Sequence, residues 1–247
     1  MTSAREGPPL SPSATLRFRT VARVLDDHNV SSLVEVGPGM GATSARIARE
    51  RVYVGYEPDP DSHAIAAQRL LHLGNAVVHN QPLPHPTPGV MFDALVAFEV
   101  LEHIRDDHLA IRQWLGWVRP GGLILISVPA HQSRFGPWDE KVGHFRRYER
   151  EELAATMKSV GLVGVTIEAW GMPLGYLLDW VRQRLLARRL RAGSGPEEDT
   201  SRSGRSFQPM SGGLLISAAL APFVHAQRPF VHTNLGTGWI AWGSKES

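Results

Sequence analysis

Short apolar runs alternate with segments of helical character over the first two thirds of the chain. Apolar positions in 13–29 recur at near-helical spacing and predict an N-terminal helix. Further helices are predicted at 42–51, 61–73, 106–118 and 149–160, and strands at 32–36, 52–56, 76–79, 92–98 and 123–128. Nearly continuous apolar strands that alternate with helices predict an α/β fold with a parallel sheet covered on both faces.

The pattern loosens after residue 129. Strands are predicted at 164–170 and 236–242, helical segments at 174–190 and 211–225, and a mobile Gly- and Ser-rich loop at 192–206. We therefore expect a flexible lead at 1–12, a core formed by 13–170 and 235–247, and a helical insertion at 171–234. The aromatic residues of the insertion favour a lid over a pocket. A homodimer surface or a membrane-surface contact would fit the same pattern.

Composition narrows the class of protein. The 247 residues are 43% apolar and 20% charged, as in a globular chain. Lys and Arg number 26 against 24 Asp and Glu, so the net charge is +2, which argues against nucleic acid as a partner. The absence of cysteine excludes disulfides, thiolate metal sites and cysteine nucleophiles. Without an apolar run of about 18 residues or a signal-peptide core, we expect a cytoplasmic protein with no transmembrane segment.

A glycine-rich turn lies between the first strand and the helix that follows it. Its residues, 35–41, read Glu-Val-Gly-Pro-Gly-Met-Gly. Glycine permits a tight turn and close approach of a ligand, and a helix N-terminus carries partial positive charge. Glu57 ends the second strand about 20 residues later, where an acid can accept two hydrogen bonds from a ribose. The two features together indicate a nucleoside-containing cofactor, although Glu57 alone could equally be a solvated loop residue.

Two carboxylates and a histidine follow the fourth predicted strand. In a helical turn Glu99, Glu102 and His103 would share one face at the carboxyl edge of the sheet, where α/β proteins bind ligands. A divalent cation would relieve their repulsion, and oxygen ligands with imidazoles suit Mg²⁺, Mn²⁺ or Fe²⁺. The alternative is a local surface pair of Glu102 and His103, with Glu99 contacting the cofactor.

The order of several motifs resembles that of class I S-adenosylmethionine-dependent methyltransferases over roughly residues 15–170. The motifs are Val34-Glu-Val-Gly-Pro-Gly-Met-Gly41, Gly55-Tyr-Glu57, Phe92-Asp93, Phe98-Glu-Val-Leu-Glu-His103 and Arg119-Pro-Gly-Gly122. A dinucleotide-binding turn would place its third glycine one residue later. The resemblance implies a Rossmann-like seven-stranded sheet whose last strand is antiparallel, which suits 236–242.

The resemblance also implies the residues that hold S-adenosylmethionine. Gly37 and Gly39 would line its methionine part, Glu35 would lie near the amino group and Glu57 would hold the ribose. Asn80 falls near the position where the family often places an acid for the adenine amine, and an amide carbonyl can accept that bond. Phe98 is the remaining candidate. Its aromatic ring would lie beside the sulfonium or the adenine, although Phe98 could equally be a core residue.

A second segment, 143–153, begins with His144 ahead of an aromatic residue and a Glu-rich helix start. Together with the earlier cluster it resembles metal-dependent 2′-O-methyltransferases of small-RNA ends and the ubiquinone-pathway O-methyltransferases. In the small-RNA family two Glu and two His hold the ion. The matching positions are Glu99, Glu102, His103 and His144.

The sequence therefore predicts a methyltransferase that acts on a small organic acceptor, most simply on an oxygen and with a divalent metal as a possible aid. Without a metal, His144 or His131 would take the proton of the acceptor. Two alternatives stay open: N- or C-methylation of a heteroaromatic molecule, and a cofactor-binding protein that has lost catalysis.

Overall fold

A computed structural model describes residues 7–191 and 213–246 and contains one seven-stranded sheet. Its strands are β1 (Ser32–Val36), β2 (Val52–Tyr56), β3 (Ala76–His79), β4 (Phe92–Phe98), β5 (Val118–Pro129), β6 (Leu162–Trp170) and β7 (Gly238–Lys245). They lie in the order β3-β2-β1-β4-β5-β7-β6, and β7 runs antiparallel to both of its neighbours. The predicted fold class, including the antiparallel last strand, is confirmed.

Helices cover both faces of the sheet. They are α1 (Pro12–Asp27), α2 (Ser44–Ile47), α3 (Pro60–Leu70), α4 (Asp107–Leu115), α5 (Pro137–Val142), α6 (Arg150–Ser159), α7 (Leu174–Arg191) and α8 (Gly213–Ala226). Buried side chains of α1, α2 and α3 pack on one face, and those of α4 and α6 pack on the other. Local capping sets where these helices begin, because the side chains of Ser11, Asp59 and Asp106 accept N–H groups of the first turns of α1, α3 and α4.

Two local predictions were wrong. The helix expected at 42–51 is reduced to the single turn α2, where guanidinium groups of Arg46 and Arg51 bond the carbonyls of Ala42 and Ile47. Because these carbonyls accept hydrogen bonds from side chains, they contribute less to the backbone hydrogen bonds of a longer helix. The strand predicted at 123–128 begins earlier, because the Pro-Gly-Gly stretch at 120–122 already lies inside β5, where the register with β4 shifts.

The segments expected to be a lead and an insertion both contact the core. Leu10 is buried near Ala14, and the carbonyl of Pro8 accepts a bond from Arg46, so the described end of the lead packs against the fold. Within the insertion, α7 packs on α5 and α8 packs on α1. The loop predicted at 192–206 lies outside the described residues. None of the helices in the described ranges is long and apolar enough to cross a membrane.

Candidate active site

A cavity of about 430 Å³ opens at the carboxyl ends of β1 and β4, between α1 and α7. Its wall includes the predicted cofactor residues Glu35, Gly37, Gly39 and Phe98, together with Glu99. The structure therefore brings residues from two separate motifs into one space. This is the edge of the sheet where α/β proteins bind ligands.

The glycine turn is a backbone cradle. Gly37 and Gly39 have φ angles of +66° and +56°, a left-handed conformation that favours glycine. A Cβ on Gly37 would come within 2.9 Å of Val100, whereas a Cβ on Gly39 would meet no atom within 4 Å. The backbone at Gly39 therefore faces open space that a ligand can fill.

Glu57 ties the glycine turn to the end of β2. One carboxylate oxygen accepts the N–H of Gly39 at 2.8 Å and the other accepts the N–H of Asp59 at 2.9 Å. Burial raises the pKa of Glu57, which is 6% exposed. Each carboxylate oxygen keeps a second lone pair, so it can still accept a hydrogen bond from a ribose hydroxyl. The side-chain amide of Asn80 donates to the carbonyls of Glu57 and Pro58, which leaves its own carbonyl oxygen as an acceptor.

Glu35 is a buried acid in the wall of the cavity. Its Oε2 accepts hydrogen bonds from the hydroxyls of Ser44 at 2.6 Å and Tyr53 at 2.7 Å. Burial raises the pKa of Glu35 to about 7, although these two hydrogen bonds lower it. Glu35 can therefore change charge near neutral pH, which makes it a pH-sensitive partner for an ammonium group.

Arg17 is a cavity residue that the sequence analysis missed. It extends from α1, lies 3.3 Å from Glu99 and places its guanidinium between the rings of Phe98 and Trp170, 5.8 and 5.9 Å from their centroids. Its buried Nε has no hydrogen-bond partner among the residues that the structure describes. No spacing marks Arg17 in the sequence, because its role depends on where α1 packs.

Three of the predicted metal ligands form a tight group. Ligand atoms of Glu102, His103 and His144 all lie within 4.8 Å of one another. Glu102 is 0% exposed, and both of its oxygens lack a hydrogen-bond partner in the described part of the chain. Burial, and then the charge of Glu99, raise the pKa of Glu102 well above its usual range. Burial and the charge of His144 lower the pKa of His103 to about 4.

Glu99 does not join this group, contrary to the predicted shared helical face. Glu99 directly follows the last residue of β4 and has a left-handed φ angle of +58°. The 3₁₀ turn that carries Glu102 and His103 begins only at Leu101. Glu99 instead accepts from the hydroxyl of Ser127 at 2.8 Å and pairs with Arg17. The alternative of a surface pair also fails, because Glu102 is fully buried.

His144 lies between two acids. Its Nδ1 is 2.8 Å from Asp139, which the sequence analysis did not single out, and its Nε2 is 3.8 Å from Glu102. Burial raises the pKa of Asp139, but hydrogen bonds from His144 and Arg147 outweigh it and lower the pKa to about 2. The other candidate base, His131, contacts Glu149 and the ring of Trp239. Neither His131 nor His144 belongs to the described lining of the cavity.

Comparison with known proteins gives the class. The family described as a methyltransferase domain matches residues 13–167, which is more than half of the chain. The chain therefore belongs to the methyltransferase domain family, and the resemblance to class I S-adenosylmethionine-dependent methyltransferases is confirmed.

Individual relatives agree with this assignment. The chain is 29% identical over 135 residues to a probable S-adenosylmethionine-dependent methyltransferase of Mycobacterium tuberculosis, a match that covers 53% of this chain and 47% of that protein. It is 27% identical over 208 residues to a ubiquinone biosynthesis O-methyltransferase of a Methylobacterium species, covering 80% and 73%. The N-methyltransferase NodS of Bradyrhizobium japonicum, solved with S-adenosyl-L-homocysteine, superposes with a TM-score of 0.53 at 19% identity, covering 64% and 80%. The chain thus spans about half the length of the mycobacterial relative.

Proposed function

We propose that this protein transfers the methyl group of S-adenosylmethionine to an oxygen of a small organic acceptor, with a divalent cation bound at the acceptor side. The observation that carries the proposal is Glu102, a fully buried carboxylate without hydrogen-bond partners in the described structure, beside two imidazoles. Burial disfavours the ionised form of a carboxyl group without partners, and a cation among these ligands would stabilise that form.

The cofactor side of the cavity fits the charges of a bound amino acid. Arg17 is suited to the methionine carboxylate, and ionised Glu35 is suited to the ammonium group. The open backbone at Gly39 provides room beside them, and Glu57 lies next to that turn to hold the ribose. Phe98 would then lie near the sulfonium, where an aromatic face favours positive charge.

The donor set of the cluster fits a divalent metal. Glu102, His103 and His144 would hold the ion. Glu99, whose charge acts on Glu102, lines the cavity and would face the acceptor. A carboxylate with two imidazoles suits Mn²⁺ or Fe²⁺, and Mg²⁺ would depend more on the carboxylates. When bound, the ion would supply Lewis-acid polarisation of the acceptor hydroxyl and lower its pKa.

Oxygen is favoured as the methylated atom for a chemical reason. A hydroxyl must lose its proton to become a strong nucleophile, whereas a neutral amine already presents a lone pair. A buried cation site therefore serves an O-methyltransferase better than an N-methyltransferase. The Methylobacterium relative, which is named as an O-methyltransferase, supports the same choice.

Helix α7 would act as a lid over the acceptor. Leu178, Asp179 and Val181 of this helix line the same cavity as Glu35 and Gly37. Apolar side chains over the acceptor would exclude water and favour a small, partly apolar molecule. The small net charge agrees with such an acceptor rather than a nucleic acid.

The test is methyl transfer from labelled S-adenosylmethionine to a panel of phenols, catechols, alcohols and indoles. We expect product with hydroxyl acceptors, loss of turnover after exhaustive chelation, and recovery on addition of Mn²⁺, Fe²⁺ or Mg²⁺. Full turnover in chelated protein that contains no metal by elemental analysis would contradict metal assistance. Product with indoles alone would contradict O-methylation.

A further inference from the structure

Asp139 and Arg147 form a buried ion pair that contacts His144 on the ring edge away from Glu102. The two oxygens of Asp139 accept from Nε and Nη2 of Arg147 at 2.8 and 2.9 Å, and the N–H of Gly136 donates to the same carboxylate at 3.0 Å. Asp139 is 0% and Arg147 3% exposed. Two-point pairing of this kind holds a carboxylate in a fixed position.

This pair decides which nitrogen of His144 carries the proton. An ionised carboxylate can only accept hydrogen bonds, so Nδ1 of His144, 2.8 Å from Asp139, must donate. In the neutral form of the ring, this leaves the lone pair of Nε2 directed towards Glu102, at 3.8 Å, too far for a hydrogen bond. A lone pair beside a carboxylate is an arrangement that a cation stabilises.

We propose that Asp139, held by Arg147, is a positioning residue that selects the Nδ1–H tautomer of His144 and so makes Nε2 available as a metal ligand. The metal part of this inference rests on the proposed function, whereas the tautomer part does not. Hydrogen bonds to the second nitrogen of a ligating histidine orient the ring and raise its basicity.

Arg147 also connects this pair to the insertion. Its Nη1 lies 3.6 Å from Asp179 of α7, and Asp179 accepts from Arg134 at 3.0 Å. Both Arg147 and Asp179 line the cavity. One buried guanidinium therefore contacts the carboxylate that orients His144 and the helix that covers the acceptor side.

The test uses Asp139→Ala and two measurements on the full chain. Nitrogen NMR of labelled imidazoles, assigned with His144→Gln, reports the tautomer of His144 in metal-free protein. Electron paramagnetic resonance of free Mn²⁺ reports the affinity for that ion alone. We expect wild-type His144 to be protonated at Nδ1, and Asp139→Ala to lose this preference and bind Mn²⁺ about 10–100-fold more weakly.

Asp107→Asn is the matched control. Asp107 is also a buried carboxylate, and it accepts a hydrogen bond from the guanidinium of Arg146 at 2.9 Å. Asp107 has no recorded contact with His144 in the described structure. Asp107→Asn should leave the tautomer and the Mn²⁺ affinity unchanged. If Asp139→Ala does not fold, the double variant Asp139→Ala/Arg147→Met removes both charges together and answers the same question.

The outcomes separate the two proposals. A folded variant in which His144 keeps its wild-type tautomer and Mn²⁺ affinity overturns the positioning role. If wild-type His144 has the Nδ1–H tautomer but the protein does not bind Mn²⁺, the metal part of the proposed function is overturned. The tautomer of His144 in Asp139→Ala then still tests the positioning role of Asp139.

Discussion

The predicted cofactor residues differ from the group formed by Glu102, His103 and His144 in how their buried carboxylates are satisfied. On the cofactor side, Glu35 accepts from Ser44 and Tyr53, and Glu57 accepts from two backbone N–H groups. In the other group, Glu102 is at least as buried and has no hydrogen-bond partner among the described residues. The protein itself therefore satisfies the carboxylates of the first group, whereas Glu102 has both oxygens open to the cation that we propose.

This difference predicts which variants affect which ligand. A change on the cofactor side should weaken S-adenosylmethionine binding and disturb local structure together, because the same atoms serve both. A change at Glu102 should spare the cofactor and stabilise the fold, because it removes a buried carboxyl group that has no hydrogen-bond partner among the described residues.

The largest effect is expected for Glu102→Gln. Polarisation by a cation contributes several kcal/mol to a transition state, so turnover should fall about 100-fold or more. Affinity for S-adenosylhomocysteine, measured by calorimetry, should stay within about twofold. Glu140→Gln, an exposed acid on α5, is the control. Turnover above half of the wild-type rate would remove Glu102 from the mechanism.

Glu57→Ala should have the next largest effect, on the cofactor alone. The ribose loses a charged acceptor worth roughly 1.5–3 kcal/mol, which corresponds to about 10–150-fold in Kd. Part of the loss comes from the N–H of Gly39, which Glu57 also holds. Glu57→Gln keeps one acceptor oxygen, so its Kd in the same calorimetric titration should lie between those of the wild type and Glu57→Ala. Unchanged affinity in Glu57→Ala would exclude Glu57 from the site.

A paired substitution in α7 tests the lid. Leu178 lines the cavity, and its neighbour Leu177 is 56% exposed. Leu178→Trp should fill acceptor space and raise the acceptor KM about tenfold, in line with the cost of overpacking. Leu177→Trp should leave steady-state kinetics unchanged. Equal kinetics for the two variants would favour an interface role for the insertion.

Arg17→Gln should weaken cofactor binding by about fivefold, the effect of a partly buried charge pair worth about 1 kcal/mol. The sharper measurement compares S-adenosylhomocysteine with an analogue that lacks the methionine carboxylate. Wild-type protein should prefer the carboxylate, and the variant should lose that preference. Arg19→Gln, on the exposed side of α1, should keep it.

The smallest effect is a pH dependence of cofactor affinity. Burial raises the pKa of Glu35 to about 7, so this acid is mostly ionised at pH 8 and mostly protonated at pH 6. The ionised form attracts the cofactor ammonium, and affinity should therefore decrease about threefold as pH falls over this interval. Glu35→Gln should flatten the profile. A profile that is equally steep in the variant would assign the dependence to another group.

Sequence reasoning succeeded where the signal is local. The left-handed glycines at 37 and 39 could be anticipated, because a strand-to-helix turn with that spacing requires them. It failed for the shared helical face of Glu99 and Glu102, because the backbone of Glu99 turns left-handed before the 3₁₀ turn begins. It also overestimated α2, where arginine side chains compete for the helix carbonyls.

The sequence by itself determined the α/β architecture, the cofactor turn and the residues from which an acceptor site could be made. These features follow from the period of apolar burial and from backbone conformations that few residues can adopt. Only the tertiary structure decided that Arg17 lines the cavity, that Glu102 has no hydrogen-bond partner among the described residues, and that Asp139 contacts His144. Each of these depends on contacts between elements far apart in the chain, and no local pattern encodes which buried polar group will meet which partner.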